Sequence, residues 1–335
     1  MIVRRRFLHP LFLSALFISS CVEASPLVEF AEMCDASAAV SIGKSGFLIA
    51  NDEDNVLRLY ERSTPDKPPR TFDVGAILQP EGKEKHAEAD IEGATVIGNR
   101  IYWIGSHGSS ADGESRPNRR RLFATEIGGS GDAVTVTPVG TPFRDLVVAL
   151  SSDQRLRKYK FKEAAGKSPE SSGALNIEGL AATPGKALLI GFRNPVHAGK
   201  ALLVPLENPD AVLESSEKPK LGSPIELPLG GLGIRSIEFV PAMNAYLIVA
   251  GPYDSRKDFK LYKWSGKKKE APQLVASDFA SQADFRPEAF VQYPGEKASI
   301  DVFSDDGDRI VGTKECKKNK DEAKRTFRGI TVTLP

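Results

Sequence analysis

One short acidic phrase recurs along this chain in a fixed register, and that register limits the possible folds more than any other feature. It reads Asp90-Ile91-Glu92-Gly93-Ala94 and Asn176-Ile177-Glu178-Gly179-Leu180, with a third version at Arg286-Pro287-Glu288-Ala289-Phe290. Each copy leads into an apolar stretch, a turn and a second apolar run. Twelve residues beyond each Glu stand Ile104, Ile190 and Ile300. Ser37 with Ile49 and Arg235 with Leu247 keep the same spacing in two weaker copies. A register held through a turn marks an internal repeat.

The copies start at 37, 92, 178, 235 and 288, so they are separated by 55, 86, 57 and 53 residues. Within a unit the pattern is of short strands divided by turn residues, which is the sign of a propeller blade. The second unit predicts strands over 93–97, 100–106, 121–127 and 133–139, with Asn99 and Gly128-Gly129 at turns. The fourth predicts 236–240, 245–251, 260–264 and 273–276. The fold expected is therefore an all-β propeller of five blades, with a degenerate sixth as the alternative. The long 86-residue interval is assigned to a helix inserted near 142–150. There Pro142 and a run of apolar residues at helical spacing follow Thr141.

Residues 1–24 read as an export signal and 26–335 as a single propeller domain. Arg4-Arg5-Arg6 precede an apolar run from Phe7 to Ile18 that is short for a membrane span. Ile18-Ser19-Ser20-Cys21 resembles a bacterial lipobox, which makes Cys21 a lipidation site; cleavage after Ala24 is the competing reading. Either places the folded part in the periplasm or cell envelope, or outside the cell, with membrane attachment only through a lipid on Cys21. In such a compartment Cys34 and Cys316 are expected to pair. Propellers close by pairing their terminal strands in one blade, so residues 26–31 are expected beside the strand at 327–334.

The chain carries 45 Lys and Arg against 44 Asp and Glu, a net charge of +1. That balance gives no nucleic-acid footprint. The basic runs at 119–121, 267–269 and 314–324 read as solvated loops. The expected state is a monomer, and its partner a small molecule or a protein.

In a propeller the innermost strands line a central channel, so Glu92, Glu178 and Glu288 converge at one mouth, with Arg235 and Ser37 at the matching positions. Crowded carboxylates repel unless a cation or arginine compensates them. Oxygen-rich groups of this kind suit Ca2+ or Mg2+, and Asp90 and Asn176 join the three Glu as metal-ligand candidates. His107 is the candidate proton carrier, and Arg193 and Arg235 the candidate anion binders. The competing reading is a structural ring of Glu–Arg pairs. Tyr102, Trp103, Tyr246 and Trp264 are expected to pack between blades, and His86 and His197 carry no assigned role.

The phrase at 90–107, Asp-Ile-Glu-Gly-Ala through Ile-Tyr-Trp-Ile-Gly-Ser-His, together with 176–180 and 286–290, resembles a bacterial family. It is domain-of-unknown-function family 3616, and the likeness runs over roughly residues 35–334. More distantly the phrase is similar to phytase-like esterase propellers and to gluconolactonase-type propellers, whose Glu-Gly phrase binds calcium. That likeness implies Glu92 and Glu178 as ligands, while Arg235 departs from the pattern. Two functions are expected from the whole: a divalent-metal-dependent hydrolase of a phosphoester, ester or lactone, or a non-catalytic envelope propeller that binds a ligand or protein partner.

Overall fold

In the computed structural model, residues 26–78, 88–276 and 284–334 are described. The export signal with Cys21, the cleavage position Ala24, and His86 lie outside the described residues. Five four-stranded antiparallel sheets follow one another along the chain. Blade 1 comprises Ala38–Ile42, Gly46–Ala50, Val56–Glu61 and Arg70–Asp73. Blade 2 comprises Ile91–Ile97, Arg100–Gly105, Leu122–Gly128 and Thr135–Phe143. Asn176–Ala182, Leu188–His197, Lys200–Leu206 and Ile225–Leu227 form blade 3. Blade 4 consists of Gly233–Val240, Ala245–Gly251, Lys260–Trp264 and Gln273–Ala276. Blade 5 runs outward from Pro287–Val291 through Ser299–Ser304 and Thr326–Thr333 to Val28–Ala31.

Five blades are thus the architecture, and three of the four strand ranges expected in blade 4 match residue for residue. The closure also matches: Val28 pairs with Gly329 and Ala31 with Thr326. Cys34 and Cys316 are disulfide-bonded beside this seam. An aromatic cluster of Phe30, Phe47, Tyr60, Phe303 and Phe327 fills the junction of blades 5 and 1, with Phe47 and Phe303 stacked at 4.5 Å. Burying these rings makes the seam cohesive independently of the disulfide.

The inserted helix lies later than the spacing predicts. It spans Leu146–Ser152, because Pro142 and Phe143 belong to the outer strand of blade 2, where Phe143 pairs with Leu122. Asp145 is its N-cap residue, and Leu146, Val147 and Leu150 face the core between blades 2 and 3. A 3-10 turn Gln154–Tyr159 and a short helix Phe161–Ala164 complete the insertion. Tyr102, Trp103, Tyr246 and Trp264 are at most 4% exposed and belong to the cores between blades, as expected. No helix among the described residues is long and apolar enough to cross a membrane.

Candidate functional site at the channel mouth

The repeated phrase has a backbone reason that its spacing alone does not disclose. In blades 2 to 5 the pairing of the innermost strand slips by one residue at the motif position. The slips fall between Ile91 and Gly93, Ile177 and Gly179, Ile234 and Ser236, and Pro287 and Ala289. Glu92, Glu178, Arg235 and Glu288 are therefore each the extra residue of a β-bulge. A bulge frees one residue from the ladder and re-aims its side chain. Blade 1 has no slip; its Ser37 precedes the strand and donates its hydroxyl to the carbonyls of Ala50 (3.1 Å) and Ile91 (2.5 Å), tying blade 1 to blade 2.

The glycine after the Glu is required by packing. A Cβ on Gly93 would lie 2.9 Å from Ile104 Cγ2 and 3.0 Å from Leu180 Cβ. One on Gly179 would lie 2.7 Å from Ile234 Cγ2 and 3.0 Å from Ile237 Cγ2. The phrase thus combines a bulge that turns an acid into the channel with a glycine that lets the next blade approach.

The bulges bring Glu92, Glu178 and Glu288 together: one carboxylate oxygen from each lies within 4.8 Å of the others. Their exposures are 7%, 1% and 5%. Two are answered by arginines. Arg193 Nη1 donates to Glu178 Oε1 at 2.9 Å, and Asn176 Nδ2 donates to the same oxygen at 3.0 Å. Arg235 Nη2 is 2.5 Å from Glu288 Oε2, and its Nε is 3.7 Å from Glu178 Oε2. Glu92 has no such partner among the described residues. Its Oε2 and Glu178 Oε2 are buried without a hydrogen bond, as is Asn176 Oδ1.

The acidic cluster continues toward blade 1. Asp52, Asp90 and Glu92 bring oxygens within 4.8 Å of one another, and so do Asp35, Asp52 and Glu53. Asp90 adopts φ +50°, accepts from the Ser106 hydroxyl, and lies 3.1 Å from Arg119 Nη1. Asp52 Oδ1 is buried and unpartnered. Burial is the main cause holding the Glu92 and Asp52 carboxyls well above their ordinary values, with neighbouring carboxylates adding to it. Burial likewise pushes Glu288 and Asp35 up to about 8, opposed by Arg235 and Lys317 respectively. Five carboxyl groups (Asp52, Asp90, Glu92, Glu178, Glu288) face three guanidiniums (Arg119, Arg193, Arg235), two fewer than the acids. Beside this cluster opens a cavity of about 300 Å³, lined by Asp52, Asp90, Arg119, Ser109 and Arg193 among others.

His107 does not line this cavity. Its ring is wholly buried, Nδ1 is 2.8 Å from the Gly105 carbonyl, and burial pushes it down to about 4, so it is neutral and sealed from the cavity. The loops after the second strands contribute unevenly. Asp306 is taken up by Arg328 at 2.7 Å, and Asp254 by Arg256 at 2.7 Å. The solvated reading of 119–121 also needs correction: Arg121 is 1% exposed and donates to the Leu78 carbonyl, and Arg119 holds Asp90. A Gly inside a strand pattern is a known bulge signal, and it was present at Gly93 and Gly179. Nothing comparable announced Arg119.

The bulged Glu of blades 3 and 5 and Arg235 between them fall within a single sequence match. Residues 134–293 match the family described as "Protein of unknown function (DUF3616)". The DUF3616 match includes the phrases at 176–180 and 286–290, and the copy at 90–94 lies before it. No curated protein matches the chain. Among solved structures, it is similar to the PQQ-bound aldose sugar dehydrogenase of Streptomyces coelicolor, at 9% identity and a TM-score of 0.45, covering 94% of this chain and 98% of that one. A GH43 β-1,3-galactosidase matches at 9% identity and TM-score 0.48, over 91% of this chain and 58% of its own. A virginiamycin B lyase from Staphylococcus aureus matches at 9% and 0.38, over 92% and 99%.

Proposed function

We propose that this protein is an exported divalent-cation-binding propeller that hydrolyses a small phosphoester, ester or lactone at the channel mouth. The observation carrying the reading is Glu92, a buried carboxylate without an arginine, set within 4.8 Å of Glu178 and Glu288 oxygens. A buried ionised carboxylate is costly unless paired or bound to a metal. Two acids in excess of the arginines and several orphaned oxygens match the donor type of Ca2+ or Mg2+, whose binding would displace the protons these carboxyls hold. Glu92, Glu178 and Glu288 would hold the ion, with Asp90 and Asn176 at its margin.

A bound cation supplies polarisation of an ester oxygen and acidification of a water. The chain's own groups do the rest. Arg193 and Arg235 hold Glu178 and Glu288 in place. Arg119 and Arg193 border the cavity and present positive charge to an anionic substrate. Asp52, pushed up by burial and with one oxygen free, takes the proton-carrying role that His107 is placed too deep to fill. The Cys34–Cys316 disulfide supports the export reading, periplasmic or envelope-bound with Cys21 as lipid anchor, because such bonds persist in oxidising compartments.

Calcium and magnesium titration of thermal unfolding tests the site. At one hundred times Kd a native-state ligand adds about 2.7 kcal/mol, or about 5 °C for a domain of this size. Glu92→Gln should abolish the rise, and esterase, lactonase and phosphatase substrates should then be turned over only by the wild type with cation. No shift with either ion would sink the metal reading and leave the satisfied Glu178–Arg193 and Arg235–Glu288 pairs as a structural ring in a binding protein.

A further inference from the structure

The channel has a second end, and its chemistry is different. There a cavity of about 630 Å³ is lined by one residue at the far end of each innermost strand: Ser41, Thr95, Ala182, Glu238 and Gln292. Its walls include Val96, Ile97 and Phe239, so it is largely apolar. Glu238 stands among them half-buried, with no hydrogen bond or ion pair among the described residues. Gln292 Nε2, on the blade 5 side of the same cavity, is buried and unpartnered. This contrasts with the motif mouth, where three arginines answer the acids.

We propose that this second mouth is a binding pocket for a small organic amine, whose ammonium pairs with Glu238 while its apolar body lies against Val96, Ile97 and Phe239. A single carboxylate in an apolar cavity without a resident cation attracts a ligand cation more strongly than the same group in water. Gln292 supplies a placed polar group that orients such a ligand. Burial alone holds the Glu238 carboxyl up, at about 8, with no neighbouring charge contributing. The charged groups that face the cavity are Lys186 from blade 3 and Glu296 and Lys297 from blade 5. Glu296 is taken up by Arg62 at 2.7 Å, and neither lysine forms an ion pair with Glu238 among the described residues.

The test compares benzylamine, benzyl alcohol and benzoate, three probes of one shape and different charge, by chemical-shift titration of the mature protein. Benzylamine should bind saturably, and Glu238→Gln, which keeps the shape of the cavity, should weaken it about tenfold or more, equivalent to about 1.4 kcal/mol. Glu92→Gln, at the other mouth, should leave amine binding unchanged, so this result is separate from that of the cation site. Val96→Phe should block the pocket without touching the charge. Equal binding of benzylamine and benzyl alcohol, undiminished amine binding in Glu238→Gln, preference for benzoate, or no binding by any probe would each overturn the proposal.

Discussion

Replacing Arg235 by Met tests the electrostatic reading of the channel more sharply than removing any of its acids. Arg235 is 5% exposed, sits 2.5 Å from Glu288 and 3.7 Å from Glu178, and is the bulge residue of blade 4. Glu178 retains Arg193 in the variant, but Glu288 loses its only ion-pair partner among the described residues. Removing one member of a buried ion pair costs about 3–5 kcal/mol, because the other charge stays buried. At roughly 2 °C per kcal/mol for a domain this large, the melting temperature should fall by about 6–10 °C in chelator at pH 9, above the value of about 8 to which Glu288 is raised. The mouth then holds five carboxylates against two arginines. A divalent cation should consequently restore more stability to Arg235→Met than to wild type. Differential scanning calorimetry with and without calcium reads both quantities. A loss under about 1 kcal/mol would mean that the pair carries little net energy, which is common for exposed ion pairs. A calcium response no larger than that of wild type would refute the charge argument.

Three further outcomes are expected. Glu288 rises from 4.5 and Asp35 from 3.8, both to about 8, so the folded protein without cation holds protons that the unfolded chain releases. Stability from these groups is full below about pH 4 and is lost as pH climbs through 8; melting in chelator should fall from pH 6 to 8, calcium shifts should grow over the same range, and flat profiles would contradict this. Replacing both Cys34 and Cys316 by Ala should cost about 5 kcal/mol in the loop-entropy account, seen as a lower denaturant midpoint with unchanged slope. Gly179→Ala should lose about 1–3 kcal/mol by overpacking against Ile234 and Ile237, and a neutral result by urea unfolding would mean that those side chains yield freely.

Much of the fold was legible because the repeat is itself a statement about packing. Ile104, Ile190 and Ile300 sit wholly buried one turn beyond the bulges, and a common register is what stacking equivalent blades requires. The convergence of Glu92, Glu178 and Glu288 followed from the same geometry. What did not follow was anything decided by partners from different blades. His107 sits in a Gly/Ser stretch that reads as exposed, yet the surrounding loops bury it completely. Arg119 and Arg121 read as part of a solvated basic run, but one reaches Asp90 and the other the Leu78 carbonyl. The helix start shifted by a few residues because Phe143 found a strand partner in Leu122, a tertiary contact that local spacing does not encode.

The outermost strand of blade 5, Val28–Ala31, precedes every other propeller strand in sequence, and the strand it joins, Thr326–Thr333, follows them all. Until Thr326–Thr333 is synthesised, the first strand therefore has no partner in its blade. Glu288 stands on the innermost strand of that same blade, so the acidic triad is incomplete until the last blade begins to form. The clasp acts as a completeness check: a product truncated before Thr326–Thr333 presents a bare sheet edge, a template for aggregation and a mark for proteolysis.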